Sequence, residues 1–379
     1  MDLICFTHLR WNFVFQRPQH LLTRFARKRR VFYVEEPVFN ATQNDYTIQR
    51  VPDHPNVFIV VPHLKNDLQE FERNLILKSL IDLLIINENI GSYFTWYYSP
   101  MSLSWSDHLN PEMIVYDCMD ELSAFKFAPA DLKSIEKKLM CLADVVFTGG
   151  RSLYEAKKSM HPSIFCFPSS IDKEHFSQAR TISQEPEDQE EIPHPRLGFF
   201  GVIDERLDIL LVNKLSVLRP DWHIVLIGPV VKIDPATLPH RENIHYLGAK
   251  DYKVLPAYLS GWDIAILPFA KNESTQFISP TKTPEYMAGG KPVISTSIAD
   301  VVNPYGINGL VEIADSAEEF ISAAEALLTE DLIEKRIQKA DLFLANISWD
   351  QTYKEMADVL DEILKRKTIS VTLKKIQHV

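Results

Sequence analysis

The chain has 379 residues, 46% of them hydrophobic and 24% charged, with a formal net charge of −11. The composition is ordinary for a globular protein, and the length exceeds what one hydrophobic core usually holds, so two domains are expected. The negative charge excludes a chain that coats nucleic acid by bulk attraction. Cys5, Cys118, Cys141 and Cys166 lie far apart, with no CxxC or Cys/His metal spacing. Buried free thiols in a reducing compartment, and no bound metal, are therefore expected. The opening "MDLICFTHLRWNF" lacks the pattern of a secretion leader. No apolar run approaches the roughly 18 residues of a membrane span, and "LIDLLII" (80–86) reads as a buried helix. A cytoplasmic protein is the expectation.

Short β-rich runs then alternate with helical patterns. Strands are predicted at 3–7, 31–34, 57–61, 93–98, 113–117, 145–148 and 164–167. Most are continuous apolar runs, as expected of strands buried on both faces of a parallel sheet. After the first, "THLRWNFVFQRPQHLL" carries Arg10, Trp11, Arg17 and His20, with a helix beginning near Pro18. An arginine there suits phosphate or uronate and an aromatic face suits a sugar ring. His20 reads as structural, and Trp11 reads equally well as core. The "RFARKRR" run (24–30) reads as a solvated helix face, or alternatively as a contact for anionic lipid. "VYDCMDELSAF" ends a strand with Asp117, Asp120 and Glu121. A carboxylate at such an end is either a general-base candidate, Asp120 ahead of Asp117, or a cap for the next turn. In 129–144, Leu132, Ile135, Leu139 and Leu142 recur at helical spacing.

Residues 172–195 break the rhythm. They are acidic, contain prolines and carry few apolar residues, which predicts a mobile interdomain linker burying little. A second strand–helix series follows, with strands at 196–201, 223–228, 244–248, 264–269, 292–296 and 310–313. Helices fit at 207–218, 252–260, 284–288 and 316–328, the last opened by a Ser316/Glu319 capping box. Such alternation predicts an α/β fold of two facing Rossmann-like, doubly wound parallel-sheet domains, 1–171 and 196–345. A helix at 346–366 opens with a second capping box, Ser348 and Gln351. Its stripe of Trp349, Tyr353, Met356, Leu360 and Ile363 has to be buried, and a return to the first domain is the natural solution. The tail 367–379 is basic and expected to be loose.

In open α/β sheets, ligands bind at the carboxyl ends of strands, where the strand order reverses. Three second-domain segments lie at such ends. Gly201 precedes a helix start whose free N–H groups, with Arg206, suit a phosphate; a tight turn with a surface arginine fits equally. In "IGPVVKID", Gly228 permits a close turn and Lys232 can enter the cleft. The third is "FISPTKTPEYMAGGKPVIST" (277–296), in which Ser279 and Thr281 lead to Lys282. Thr283 suits the N-cap, Pro284 the first helical position, and Gly289 with Gly290 a left-handed C-terminal cap. Glu285 then either complements the helix dipole or accepts both hydrogen bonds of a ribose cis-diol, with Lys282 and free N–H groups meeting a diphosphate.

"PTKTPEYMAGGKPVIS" resembles the donor-site signature of GT-B glycosyltransferases, specifically the large retaining class (glycosyltransferase family 4-like, "glycosyl transferases group 1"). "FPSSIDKEHF" (167–176) is similar to the link between that fold's domains. "HYLGAKDYKVLPAYLSGWDIAILPF" (245–269) is similar to its base-binding side, with the loop after Gly248 near the base, and "SWDQTYKEMADVL" to its crossover helix. The opening "LRWNFVFQRPQHLL" looks like a bacterial subgroup linked to polysaccharide assembly. The resemblance implies a donor site of Gly201, Arg206, Lys232, Gly248, Ser279, Thr281, Lys282 and Glu285, with Glu285 on the ribose and Arg206 on the diphosphate. It implies an acceptor side of Arg10, Trp11 and Arg17, and a base at Asp120 or Asp117. The activity implied is that of a metal-independent hexosyltransferase. It would use a nucleotide-diphosphate sugar, a UDP-sugar foremost, and a saccharide or lipid-linked acceptor in cell-surface polysaccharide synthesis. No separate cofactor is implied, and peripheral contact with the inner membrane face is a further expectation. A nucleotide-sugar epimerase on the same fold, or a non-catalytic sugar-nucleotide-binding subunit, are the alternatives. One position departs from the class: eight residues before Glu285, where many members carry a glutamate on the donor hexose, stands Phe277. Retention or inversion is thereby left open.

Overall fold

A computed structural model describes residues 1–329 and 333–377, with side chains as far as residue 369. The apolar runs of the first half form one sheet. Its strands are β1 (Asp2–Phe6), β2 (Val31–Val34), β3 (Val38–Phe39), β4 (Asp45–Val51), β5 (His54–Leu64), β6 (Tyr93–Tyr97), β7 (Ile114–Cys118), β8 (Val145–Thr148) and β9 (Ile164–Cys166). Their order is β3-β5-β2-β1-β6-β7-β8-β9, all parallel, with β4 added antiparallel on β5. Period-two alternation divides the core between the two faces. Leu3 and Cys5 of β1 face one cluster with Tyr33, Trp96 and Phe147, whereas Ile4 and Phe6 face the other with Phe32, Leu80 and Val146.

The second domain holds β10 (Arg196–Phe200), β11 (His223–Ile227), β12 (Ile244–Gly248), β13 (Ile264–Leu267), β14 (Val293–Ser295) and β15 (Glu312–Ile313). All are parallel in the order β12-β11-β10-β13-β14-β15. Relabelled from its first strand this is 3-2-1-4-5-6, the doubly wound order whose switch point lies between β10 and β13. The two sheets give the molecule the expected α/β architecture of facing Rossmann-like domains.

Several local expectations change. The polar, largely exposed β4 escapes a search for apolar runs, because it is an edge strand with one face in water. The segment after β9 is not a bare linker. It forms helical turns at Lys173–Ser177 and Glu187–Glu190, and it buries Phe176, Ala179, Gln189 and Ile192 in the second-domain core. Arg180 ties it to Asp341 through two bonds of 2.9 Å. The Ser316/Glu319 box forms in both directions. At Ser348 only half a box forms, since the Gln351 amide bonds Glu355 instead. The last helix runs Trp349–Gln377, through much of the segment expected to be a loose tail; residues 378–379 lie outside the described residues. Trp349, Met356 and Leu360 are buried in the first-domain core, with Tyr353 and Ile363 packed beside them. Of the cysteines, Cys5 and Cys118 are buried, Cys166 is half-buried and Cys141 is exposed; all four are free thiols.

The domains are held together by specific polar contacts. Asp300 of the second domain accepts the N–H groups of Arg151 and Ser152, 2.9 Å each, at the start of first-domain helix Arg151–Lys157. Ser169 Oγ donates to the Ser279 carbonyl at 3.0 Å.

Candidate functional site

A cleft of about 970 Å³ separates the two sheets' carboxyl ends. Trp11, Arg17, Asp120, Gly201, Arg206, Ser279, Thr281, Lys282 and Glu285 all border it. Lys232 does not border the cleft; its ammonium lies 5.1 Å from the Phe125 ring and its charge acts on Asp120. Gly248 supports the wall from behind, accepting the Gly228 N–H at 2.8 Å, while Ala249 to Lys253 face the cleft.

The short helix begins at Lys282, two residues earlier than its capping pattern suggests, and runs to Ala288. Pro284 is tolerated in its first turn because the N–H it lacks would have no intrahelical partner there. Thr283 is fully buried rather than capping, and Gly290 (φ +80°), not Gly289, takes the left-handed conformation. This places Glu285 at 7% exposure with its carboxylate on the cleft. Burial pushes it up to about 7, against the opposing pull of Lys282. No hydrogen bond reaches that carboxylate among the described residues. Lys282 lies across Gly201: a Cβ on Gly201 would sit 2.2 Å from Lys282 Cε. Gly201 (φ +151°) and Gly228 (φ +149°) are required together, since a Cβ on Gly228 would meet the Gly201 carbonyl oxygen at 1.8 Å. Burial lowers the Lys282 ammonium, opposed by Glu285, and no ion pair within 4 Å holds it among the described residues.

The phosphate-binding reading of the first loop needs revision. The helix after β10 starts at Ile209 and is not bare: Asp208 accepts the Leu211 N–H at 2.9 Å. Arg206 is gripped by the buried Asp204, with contacts of 2.8 to 3.1 Å. Burial works against its charge, but Asp204 raises it overall. Its guanidinium lies 5.4 Å from the Phe125 ring, so it faces the first domain as much as the second.

On that side Asp120 is half-buried, and its carboxylate bonds no described side chain. Burial raises it to about 6, with Arg206 and Lys232 pulling the other way. Asp117 is elsewhere. It is fully buried and held by Arg17 Nε and Nη2 at 2.9 to 3.1 Å, so its carboxylate lies away from the cleft. Arg17 is 2% exposed and spends its other arm on the Phe167 carbonyl. Arg10 bonds Glu35 and the Glu36 carbonyl and does not line the cleft. Trp11 shows the cleft an edge while packing against Tyr33. The arginines of the acceptor side are thus committed to protein carboxylates and carbonyls.

Sequence reasoning missed an aromatic wall. Phe15 stacks on Tyr252 at 4.7 Å across the domain boundary, and His175 stacks on Tyr252 at 4.4 Å. His20 is structural, stacked on Trp349 at 4.7 Å. His8, just beyond β1, is held down to about 4 by burial and Lys232, and its Nδ1 is buried without a partner. His20 reads as structural from the sequence, but no pattern flags Phe15, His175, Tyr252 or His8, because their neighbours are remote in sequence. Phe277 is half-buried against the first-domain core and leaves the cleft wall to Ile278, Ser279 and Pro280.

The basic run is paired only in part. Arg24 and Arg27 both bind Asp350, at 2.9 and 2.7 Å, Arg30 binds Asp2, and Arg29 lies over Phe25 and Phe94. Among the described residues, no helix is long and apolar enough to cross a membrane, and no three His, Cys, Asp or Glu are grouped to hold a metal ion.

Residues 194–330 match the family described as Glycosyl transferases group 1. The chain is 26% identical over 282 residues to TuaH of Bacillus subtilis, a protein named for teichuronic acid biosynthesis as a glycosyltransferase. That match covers 69% of this chain and spans 66% of the relative's length. Anabaena HepE, solved in complex with UDP and glucose, superposes with a TM-score of 0.68 at 12% identity, covering 95% of this chain and 99% of that one. Sucrose-phosphate synthase from Thermosynechococcus elongatus gives 0.68 at 12% identity, covering 97% of this chain and 100% of that one. Both structural likenesses are likenesses of fold.

Proposed function

We propose that the protein is a glycosyltransferase, on the match of residues 194–330 to the glycosyl transferases group 1 family and on the GT-B fold of the chain. It moves a sugar, a hexose, from a nucleotide-diphosphate donor to a saccharide or lipid-linked acceptor in polysaccharide synthesis. The observation that carries this reading is Glu285: a buried carboxylate without a protein hydrogen bond, facing the cleft at the switch point of a 3-2-1-4-5-6 sheet. A ribose diol would supply its missing donors.

The diphosphate would lie toward Gly201, beneath the unpaired Lys282 ammonium. Charge developing on the leaving phosphate is stabilised there by a cation that needs no reorganisation. Asp120, across the cleft, would accept the acceptor hydroxyl's proton; being raised to about 6 it is ionised at neutral pH yet basic enough to act. Arg206, oriented by Asp204, sets the field between the two. With Phe277 turned into the first-domain core, the donor hexose would meet the backbone around Ser279 instead of a carboxylate. UDP is the first donor nucleotide to try, on the likeness to HepE.

The test is incubation with UDP-, GDP-, dTDP- and ADP-hexoses, with and without a lipid-linked saccharide acceptor, measuring nucleoside diphosphate release and sugar incorporation. Acceptor-dependent incorporation supports the proposal. An isomerised donor sugar without acceptor would identify an epimerase, and inertness toward every donor would leave a binding subunit.

A further inference from the structure

Asp120 sits on a loop that carries an aromatic ring onto the other domain. The loop leaves β7 after Cys118 and makes one helical turn at Leu122–Ala124. On the first-domain side Glu121 binds the buried Lys157 at 2.7 Å, and Lys157 also binds Glu136 at 2.8 Å. Past the turn, the half-buried Phe125 meets two cations of the second domain. The Arg206 guanidinium lies 5.4 Å from its ring and the Lys232 ammonium 5.1 Å. The next residue, Lys126, donates its N–H to Glu205 at 3.3 Å.

Both cations are aimed at this ring. Arg206 is oriented by Asp204 through contacts of 2.8 to 3.1 Å. Lys232 is exposed, joins no ion pair among the described residues, and stands in a left-handed backbone at φ +61°. A lysine gains nothing local from that conformation, and backbone strain of this kind gathers at functional sites. A cation near an aromatic ring is attracted to its face, so two of them anchor the loop across the domain boundary. The same two act on Asp120, opposing the burial that raises it to about 6; Asp204 adds to the rise and Arg17 opposes it. Lys282 also faces this carboxylate, while His8, held down to about 4, is uncharged at neutral pH.

We propose that Phe125 is a positioning residue: docked on Arg206 and Lys232, its ring fixes the loop so that Asp120 stands at the cleft beside those two cations. Phe125 does not border the cleft, so it acts through Asp120 and not on substrate. Because ring and cations belong to different domains, the base is set only while the domains are together. This inference rests on the reading of Asp120 as the base of the transfer.

The experiment is steady-state kinetics of Phe125→Leu, Phe125→Trp, Lys232→Met, Asp120→Asn and the double variant Phe125→Leu/Asp120→Asn. The donor is whichever UDP-, GDP-, dTDP- or ADP-hexose the parent turns over. Phe125→Leu should lower kcat about tenfold while donor KM stays within about twofold of the parent's, and Phe125→Trp should restore kcat. On the Asp120→Asn background the same leucine change should cost less than about twofold, since the group it positions is gone. Lys232→Met should lower kcat more at pH 6 than at pH 8, because losing a cation moves the proton uptake of Asp120 to higher pH. The inference is overturned by an undiminished kcat in Phe125→Leu, by a Phe125→Trp as slow as the leucine variant, or by equal cost of the leucine change with and without Asp120. A Lys232→Met effect of equal size at both pH values overturns it as well, and this comparison decides if Phe125→Leu fails to fold. If Asp120→Asn keeps the parent's kcat, or the parent transfers no sugar, the reading of Asp120 as the base falls and takes the inference with it.

Discussion

Glu285→Gln should make the free protein more stable while weakening its hold on nucleotide. Burial carries the Glu285 carboxyl from its usual 4.5 to about 7. At about 1.4 kcal/mol per pKa unit, keeping it ionised in the fold at pH 8 costs roughly 3 kcal/mol. The sign follows from the direction. The folded value lies above the unfolded one, so the folded chain holds this proton more tightly, and the parent gains stability as pH falls from about 7 towards 4.5. A glutamine carries no such charge. At pH 8 the variant should therefore be more stable by up to about 3 kcal/mol, or on the order of 5 °C in Tm. By pH 5 the gap should shrink to about 1 kcal/mol. Urea unfolding of both proteins at pH 8 and pH 5 measures it. A variant no more stable than the parent at pH 8, or a gap of equal size at both pH values, would refute the reasoning. The same amide accepts through one oxygen only, so nucleoside diphosphate affinity should fall about tenfold or more.

Other consequences are as specific. Asp120→Asn should lower kcat by about a hundredfold with little change in donor KM, and the parent's kcat should fall as pH drops below about 6, where Asp120 takes up its proton; an unchanged kcat excludes it as the base. Arg17→Met leaves the fully buried Asp117 charge without its partner and should destabilise the fold by about 3–5 kcal/mol, read by urea unfolding. Asp300→Ala removes two interdomain hydrogen bonds and should cost about 1–2 kcal/mol. Its donor KM should also rise as the domains part more readily, measurable in initial-rate assays. Gly201→Ala should weaken donor binding, because its methyl group would push the Lys282 side chain aside and its φ of +151° strains any residue but glycine.

The sheets were legible because parallel strands covered on both faces must be written as apolar runs, as in β2 and β8. The Lys282–Ala288 turn was legible for a local reason: its proline, paired glycines and lone carboxylate constrain one another within a few residues. What escaped reading depends on residues that meet only in space. Nothing around Asp117 announces that Arg17, a hundred residues earlier, will bury it. Nothing around Arg206 marks Asp204 as an inward-facing partner rather than a surface acid. The wall made by Phe15, His175 and Tyr252 draws on both domains and the segment joining them, so no local periodicity encodes it. Strand β4 was missed for the opposite reason: it is local, but a mostly exposed edge strand needs no apolar pattern.

The most direct measurement is a crystal structure of the protein with a nucleoside diphosphate, taken at a pH above 7 so that Glu285 is largely ionised. The expected complex has the ribose diol on the Glu285 carboxylate and the phosphates between Gly201 and the Lys282 ammonium. A nucleotide ordered elsewhere, with Glu285 still untouched at the floor of an open cleft, would contradict it.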